Sequence, residues 1–237
     1  MNQILLFPED LISDTQALLS GRRLLHLREI LGKSAGDTVK AGVYNGLRGH
    51  AKIMSVDSGK AILDLTLDTP PPPRLPMTLV IAMQRPKTTR KILHCAASLG
   101  IGKIYIIRSW RVEKGYFSNP ILTAHGLRDA LASGMEQSLD TIPPHVEIRK
   151  RFRPFVEDEI PSIIAGTTAL VAHPYAQTAC PCALRTSVTL ALGPEGGFIP
   201  FEIELFAANG FLPVTVGERI LRTENALPYL AGKLSSV

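Results

Sequence analysis

Apolar residues along this chain follow two rhythms. Over residues 38–68 they alternate with polar ones, and from residue 77 onward they come in short unbroken runs separated by helical spacings. The alternating part predicts strands over Thr38–Tyr44, Arg48–Val56 and Ala61–Leu67, turned at Asn45-Gly46 and at Asp57-Ser58-Gly59. Ile4–Phe7 predicts a short strand ahead of them, followed by a helical or irregular stretch up to residue 35. Such short antiparallel strands suggest a small barrel. The later part predicts strands at Met77–Met83, Lys103–Ile107, His145–Ile148, Thr168–Ala172 and Val188–Leu192, and one ending at Val216. Between them fall helices over Thr88–Leu99 and Pro120–Gln137, another starting at Pro200, and a closing helix from near Thr223. Strands alternating with helices predict an α/β domain with a parallel sheet. The four prolines Pro70–Pro73 stiffen a linker between the two patterns, so the expected domains are 1–70 and 74–237.

Composition narrows the class. Hydrophobic residues make up 45% and charged residues 20%, an ordinary globular balance. No apolar run approaches the length of a membrane span, so no membrane partner is expected. The N-terminal stretch carries no basic targeting region, and Cys95, Cys180 and Cys182 form no disulfide framework, which predicts a cytoplasmic protein. The net charge is +5, all of it beyond residue 73, and residues 85–153 hold 13 Lys/Arg against 5 Asp/Glu. A basic middle suits a phosphate-rich partner, and a solvated face that binds nothing explains it equally well.

The run Val188–Leu192 ends abruptly at Gly193-Pro194-Glu195-Gly196-Gly197, and a helix then opens at Pro200. Strand, glycine loop and helix at the carboxyl edge of a parallel sheet is where open α/β proteins bind ligands. Ile203, Phe206 and Ala207 are expected on the buried face of this helix, Glu202 and Glu204 in its first turns, and Gly210 at its stop. The loop lacks the Gly-Lys-Ser/Thr of a phosphate loop and does not fit Gly-x-Gly-x-x-Gly. A second strand, glycine and loop follow in Val214–Leu227, which contains Val216-Gly217-Glu218-Arg219-Ile220-Leu221-Arg222-Thr223-Glu224-Asn225-Ala226.

Together the two motifs resemble the cofactor site of the SPOUT methyltransferases, and most closely the RsmE family of 16S ribosomal RNA uridine-N3 methyltransferases. The resemblance covers essentially the whole chain. It implies a SPOUT α/β trefoil knot preceded by a PUA-like β-barrel that binds RNA. It further implies a homodimer acting on 16S rRNA in the 30S ribosomal subunit, with S-adenosyl-L-methionine as the methyl donor. The chain departs from the family pattern at Gly32, His94, Cys95, Ser98, Leu139 and Asn225. Two alternatives stay open: a SPOUT methyltransferase with another RNA target, and a non-catalytic RNA-binding or ribosome-assembly protein.

By this resemblance the cofactor contacts are Ala172, His173 and Pro174, then Leu192, Gly193, Pro194, Glu195, Gly196 and Gly197, then Val216, Gly217, Ile220, Leu221, Arg222, Asn225 and Ala226. Glycines permit close approach of backbone to an adenine, and Ile220 and Leu221 offer apolar surface to it. Methylation at N3 of uridine requires loss of a weakly acidic imide proton, so a nearby cation would stabilise the developing charge. Arg222 is the first candidate. Glu224 is a candidate to orient Arg222, and Glu195 to orient loops or act as a base, with helix capping the plainer role for both acids; neither is fixed as the general base. Asn225 is read as a helix N-cap. Arg22, Arg23, His26 and Arg28, together with Arg111 and Lys114 in Arg111–Pro120, are candidate RNA contacts; a solvated helix face or packing against a second subunit would account for them as well. Cys180, Cys182 and His173 lack the spacing of a closed metal site, and no metal is expected.

Overall fold

The computed structural model describes residues 2–235; the outer ends of the expected domains, residue 1 and residues 236–237, lie outside them. The chain divides into two compact units, one of residues up to Pro73 with Ala132–Pro143, the other of Arg74–Leu131 with Pro144 onward.

The first unit opens with β1 (Ile4–Leu6), β2 (Leu11–Ser13) and β3 (Gln16–Leu19), then a short helix α1 (Gly21–Leu25) that runs into a π-helical turn at His26–Ile30. β4 (Thr38–Val43), β5 (Arg48–Val56) and β6 (Ala61–Thr69) follow. They form one six-stranded sheet in the order β1-β4-β5-β6-β3-β2, antiparallel except for the β1–β4 pair. Asn45 takes φ 62° in the β4–β5 turn, a left-handed conformation that asparagine tolerates better than most side chains. Inward positions of the alternating strands, including Leu6, Leu19, Ile53 and Leu63, share a core with Leu24 and Leu27 of the helical segment. The stretch after Ile4–Leu6, expected as helical or irregular, thus supplies two strands before its helix. β3 exists because β6 offers it a partner, from Gln16 against Asp64 to Leu19 against Ala61.

Residues 132–143 also belong to this unit, although their sequence position follows the α/β pattern. The Glu136 carbonyl accepts the Asn2 amide at 2.9 Å, and Gln3 donates to the Asp140 carbonyl at 2.7 Å. The buried Glu136 carboxylate pairs with Arg22 at 3.0 Å.

The second unit begins with β7 (Leu75–Ala82), α2 (Pro86–Ser98), β8 (Ile101–Ile107) and α3 (Ala124–Ser138), whose last residues group with the first unit. Then come β9 (His145–Arg149), α4 (Phe152–Pro154), α5 (Ile160–Ile163), β10 (Thr168–Ala172) and β11 (Thr178–Ala179). β12 (Val188–Leu192), α6 (Pro200–Ala208), β13 (Leu212–Thr215) and α7 (Thr223–Leu234) complete it. All seven strands run parallel in the order β11-β13-β10-β12-β7-β8-β9. β12 lies centrally and every one of its residues is buried, as its unbroken apolar run requires. Proline opens α2 and α6 at their first helical residues, where the missing N–H costs nothing. Gly210, at φ 93°, follows α6 in the left-handed conformation expected of a helix stop. Within α6, Phe206 is buried and Ile203 half-buried, but Ala207 is exposed and Glu202 is buried instead. No helix among the described residues is long and apolar enough to cross a membrane.

Candidate cofactor and RNA site

β13, β10, β12 and β7 lie side by side, with Ala172 opposite both Leu192 and Val214. Parallel strands in register end at one edge, so the segments that leave them emerge together. Three of these segments, at 172–175, 192–198 and 214–223, enclose a cavity of about 580 Å³ with the first residues of α2 and α7. All the expected cofactor residues line it except Gly217 and Asn225.

The glycine loop is shaped by several separate constraints. Gly197 has φ 72° and Gly217 φ 123°, and an added Cβ at either would meet nothing within 4 Å. Backbone conformation rather than crowding therefore selects glycine there. At Gly193 an added Cβ would lie 3.0 Å from the Phe198 amide nitrogen, so a side chain there would press on the loop backbone. The Gly193 carbonyl accepts from Gln84 Nε2 at 2.9 Å and from Thr223 Oγ1 at 3.3 Å. Glu195 is exposed, and its Oε1 accepts the Arg85 amide at 3.1 Å at the start of α2. Arg111 donates to the Gly196 carbonyl.

The helix after the loop explains Glu202. Its Oε2 accepts the Ile199 amide at 3.0 Å, closing the first turn of α6, and its Oε1 accepts the Trp110 amide at 2.7 Å. Two backbone donors at a helix N-terminus compensate the burial of this carboxylate. Behind the loop, Phe198 and Phe206 pack at 5.3 Å between ring centres, and Phe206 meets Phe211 at 4.9 Å.

Arg222 occupies the cap position of α7, exposed, with its side chain free of ion pairs among the described residues. Glu224 is half-buried in the first turn of α7, and both residues line the cavity. The helix starts at Thr223, as expected, so the cap position is Arg222 rather than Asn225, which lies inside the first turn and donates its amide to the Arg222 carbonyl at 2.9 Å. Ile220 is 68% exposed at the cavity wall, with Leu221 half-buried beside it. Burial lowers the pKa of His173, opposed by a hydrogen bond to the Phe198 backbone, while the Arg111 charge acts with burial. Its imidazole is therefore uncharged at neutral pH.

The candidate RNA contacts divide. Arg111 and Lys114 are exposed in the second unit, Arg111 at the cavity. In the first unit Arg28 is exposed and His26 half-buried. Arg23 is held in the fold rather than offered to solvent: its guanidinium bonds Asp10 Oδ1 and the Leu5 carbonyl, both at 2.7 Å, and lies over Phe7. Arg22 is committed to Glu136. Sequence reasoning missed Arg85, Thr88, Tyr175, Phe198, Arg219 and Thr223 as cavity residues. The step from an apolar strand to Gln84-Arg85-Pro86 and a helix was the signal for the first two. No group of three or more His, Cys, Asp or Glu side chains among the described residues could hold a metal ion.

Comparison with known proteins places this geometry in a family. A model of the RNA methyltransferase domain matches residues 71–235. The ribosomal RNA small subunit methyltransferase E of Treponema pallidum is 31% identical over 94% of this chain and 86% of its own length. The Synechocystis protein of the same name is 27% identical over 94% and 74%. Among solved structures, a Legionella pneumophila methyltransferase with bound S-adenosylmethionine superposes with a TM-score of 0.73 at 22% identity, over 97% of this chain and 96% of that one. The Neisseria gonorrhoeae ribosomal RNA small subunit methyltransferase E, bound to S-adenosylmethionine, gives 0.71 at 23% identity, over 98% and 95%. The chain belongs to the ribosomal RNA small subunit methyltransferase E family of RNA methyltransferases.

Proposed function

We propose that this protein transfers a methyl group from S-adenosylmethionine to N3 of one uridine in 16S rRNA, within the 30S subunit. In this reading the second unit is a SPOUT trefoil-knot domain and the first a PUA-like RNA-binding domain. The protein works as a cytoplasmic homodimer without a metal. The observation that carries the reading is the cavity at the carboxyl edge of the parallel sheet, lined by the Gly193–Gly197 loop and by Ile220–Arg222 together.

The residues present fit this cofactor. The volume lies within the usual range of about 300–1,000 Å³ for small-molecule sites. The walls combine apolar side chains (Leu192, Val214, Ile220, Leu221, Leu230) with backbone polar groups of the glycine loop, a mixture suited to a neutral adenine. When bound, the cofactor supplies a sulfonium-activated methyl group whose leaving group is a neutral thioether.

The protein's own task is to make N3 a nucleophile. Arg222, with no ion pair among the described residues, stabilises the negative charge that develops on the uracil imide as its proton departs. Glu195 is engaged with the Arg85 amide, which leaves Glu224 as the cavity carboxylate to accept that proton. Arg85, Arg111 and Arg219 around the same cavity attract the phosphate backbone.

The test is a transfer assay with labelled S-adenosylmethionine and 30S subunits from cells lacking the enzyme, followed by mapping of the modified nucleotide. Label at N3 of a single uridine supports the proposal. Label at another RNA position moves the substrate. Cofactor binding without transfer to any RNA replaces catalysis with an RNA-binding or assembly role.

A further inference from the structure

Trp110 is the single tryptophan of the sequence and, at 80% exposed, the most exposed large hydrophobic residue among those described. A solvated indole forgoes the burial of about 150–250 Å² that an aromatic side chain ordinarily contributes. Neither an aromatic ring nor a cation stacks on it among the described residues.

Its backbone, by contrast, is anchored. The Trp110 amide donates to the buried Glu202 carboxylate at 2.7 Å. Ser109 and Val112 on either side are buried, and the Val112 amide donates to the Ser109 carbonyl at 3.2 Å to close a turn. The turn therefore presents the indole outward from a fixed base. Its neighbour Arg111 lines the cavity and bonds Gly196 of the glycine loop, so the turn that carries Trp110 reaches the cavity wall. Arg85, Arg219 and Arg222 line the same cavity. A flat exposed ring on the turn that also carries the cavity residue Arg111, with further arginines in the cavity wall, matches single-stranded nucleic acid, with bases stacked on aromatic faces and phosphates neutralised by arginine.

We infer that the Trp110 indole stacks on a nucleobase flanking the one to be methylated, and so seats the RNA at the cavity. The inference rests on the RNA-methylation reading above. Because no other tryptophan contributes, intrinsic fluorescence reports on this ring directly. Titration with a uridine-rich single-stranded RNA dodecamer is expected to quench it saturably, at a level independent of protein concentration. Trp110→Ala is expected to raise the KM for 30S subunits roughly tenfold, as loss of one base–aromatic stack does. Trp110→Phe should stay within about threefold of the parent, since it keeps an aromatic face. Affinity for S-adenosylmethionine should not change in either. Emission that shifts on protein dilution while RNA leaves it unaltered, with Trp110→Ala changing the sedimentation behaviour, would mean that a second copy covers the ring, and would overturn the inference. An unchanged KM in Trp110→Ala would overturn it as well. If the parent protein methylates nothing, the methylation reading fails first, and the quenching titration still decides the stacking.

Discussion

Gln84 donates from its carboxamide to the Gly193 carbonyl at 2.9 Å, tying the end of β7 to the first residue of the glycine loop. The same amide donates to Ala82 at 2.7 Å, and the side chain is fully buried. Thr223 holds the Gly193 carbonyl from the start of α7. The glycine loop is therefore pinned from two elements far apart in the chain. Gln84→Ala should weaken S-adenosylmethionine binding about three- to tenfold, the equivalent of one net hydrogen bond of about 0.5–1.5 kcal/mol. Turnover at saturating cofactor should be kept. Calorimetric titration measures the first, and an unaltered affinity would show that the loop holds its shape without Gln84.

Arg222 should behave differently. Arg222→Ala is expected to lower kcat about 10²- to 10³-fold, the scale of losing one preorganised charge-stabilising group. Cofactor affinity should stay within a few-fold. Rapid single-turnover assays on 30S subunits separate the two, and a variant that loses cofactor binding while keeping its chemical rate would remove Arg222 from the reaction.

The Glu202 carboxylate accepts the Ile199 amide at the start of α6 and the Trp110 amide in the turn, joining the two. Glu202→Ala would leave both donors without this acceptor in a buried setting and should destabilise the protein by about 2–3 kcal/mol. Urea unfolding gives the figure, and a loss below about 0.5 kcal/mol would mean that other acceptors replace it.

In the first unit the Asp10–Arg23 pair is largely removed from water, with side chains 9% and 14% exposed. Removing one partner of such a pair typically costs about 3–5 kcal/mol, because the other charge remains buried. Asp10→Ala should therefore destabilise far more than Asp37→Ala, whose partner Lys33 is 4.0 Å away in a pair well open to solvent, with side chains 37% and 40% exposed. Equal unfolding midpoints for the two variants would contradict the assignment.

His173 predicts a pH dependence. Burial lowers its folded pKa below the ordinary value of about 6.5. Above that value the imidazole is neutral in both folded and unfolded chains. As the pH falls below it, the unfolded chain binds a proton that the folded one refuses, so stability declines down to the folded pKa. Chemical denaturation at pH 7.5 and pH 5.5 should show a smaller loss in His173→Asn than in the parent, and an identical loss would exclude His173 as the source.

The elements legible from sequence alone are those whose cause is local. Val188–Leu192 and Thr168–Ala172 have the predicted bounds, because an unbroken apolar run bounded by turn residues suffices for a buried parallel strand. The first helical residue at Pro200 follows from proline's fixed φ and missing N–H. The Gly193–Gly197 loop was readable as a ligand loop because a glycine-rich turn follows a parallel strand, while Ile220, Leu221 and Arg222 were readable through the resemblance of their motif to a known family.

What the tertiary structure alone decided depends on partners distant in sequence. Gln16–Leu19 is a strand because Ala61–Asp64 lies beside it, and its own four residues carry no clear period. Ala132–Pro143 joins the first unit because its carbonyls accept from Asn2 and Gln3, more than a hundred residues earlier. Arg23 looks like a surface cation until Asp10 closes on it, and Glu202 looks like a helix-start acid until the Trp110 amide meets its second oxygen. Hydrophobic periodicity records which face of an element is buried. A charged side chain's role is set by the long-range group that satisfies it, and that pairing exists only once the chain has folded.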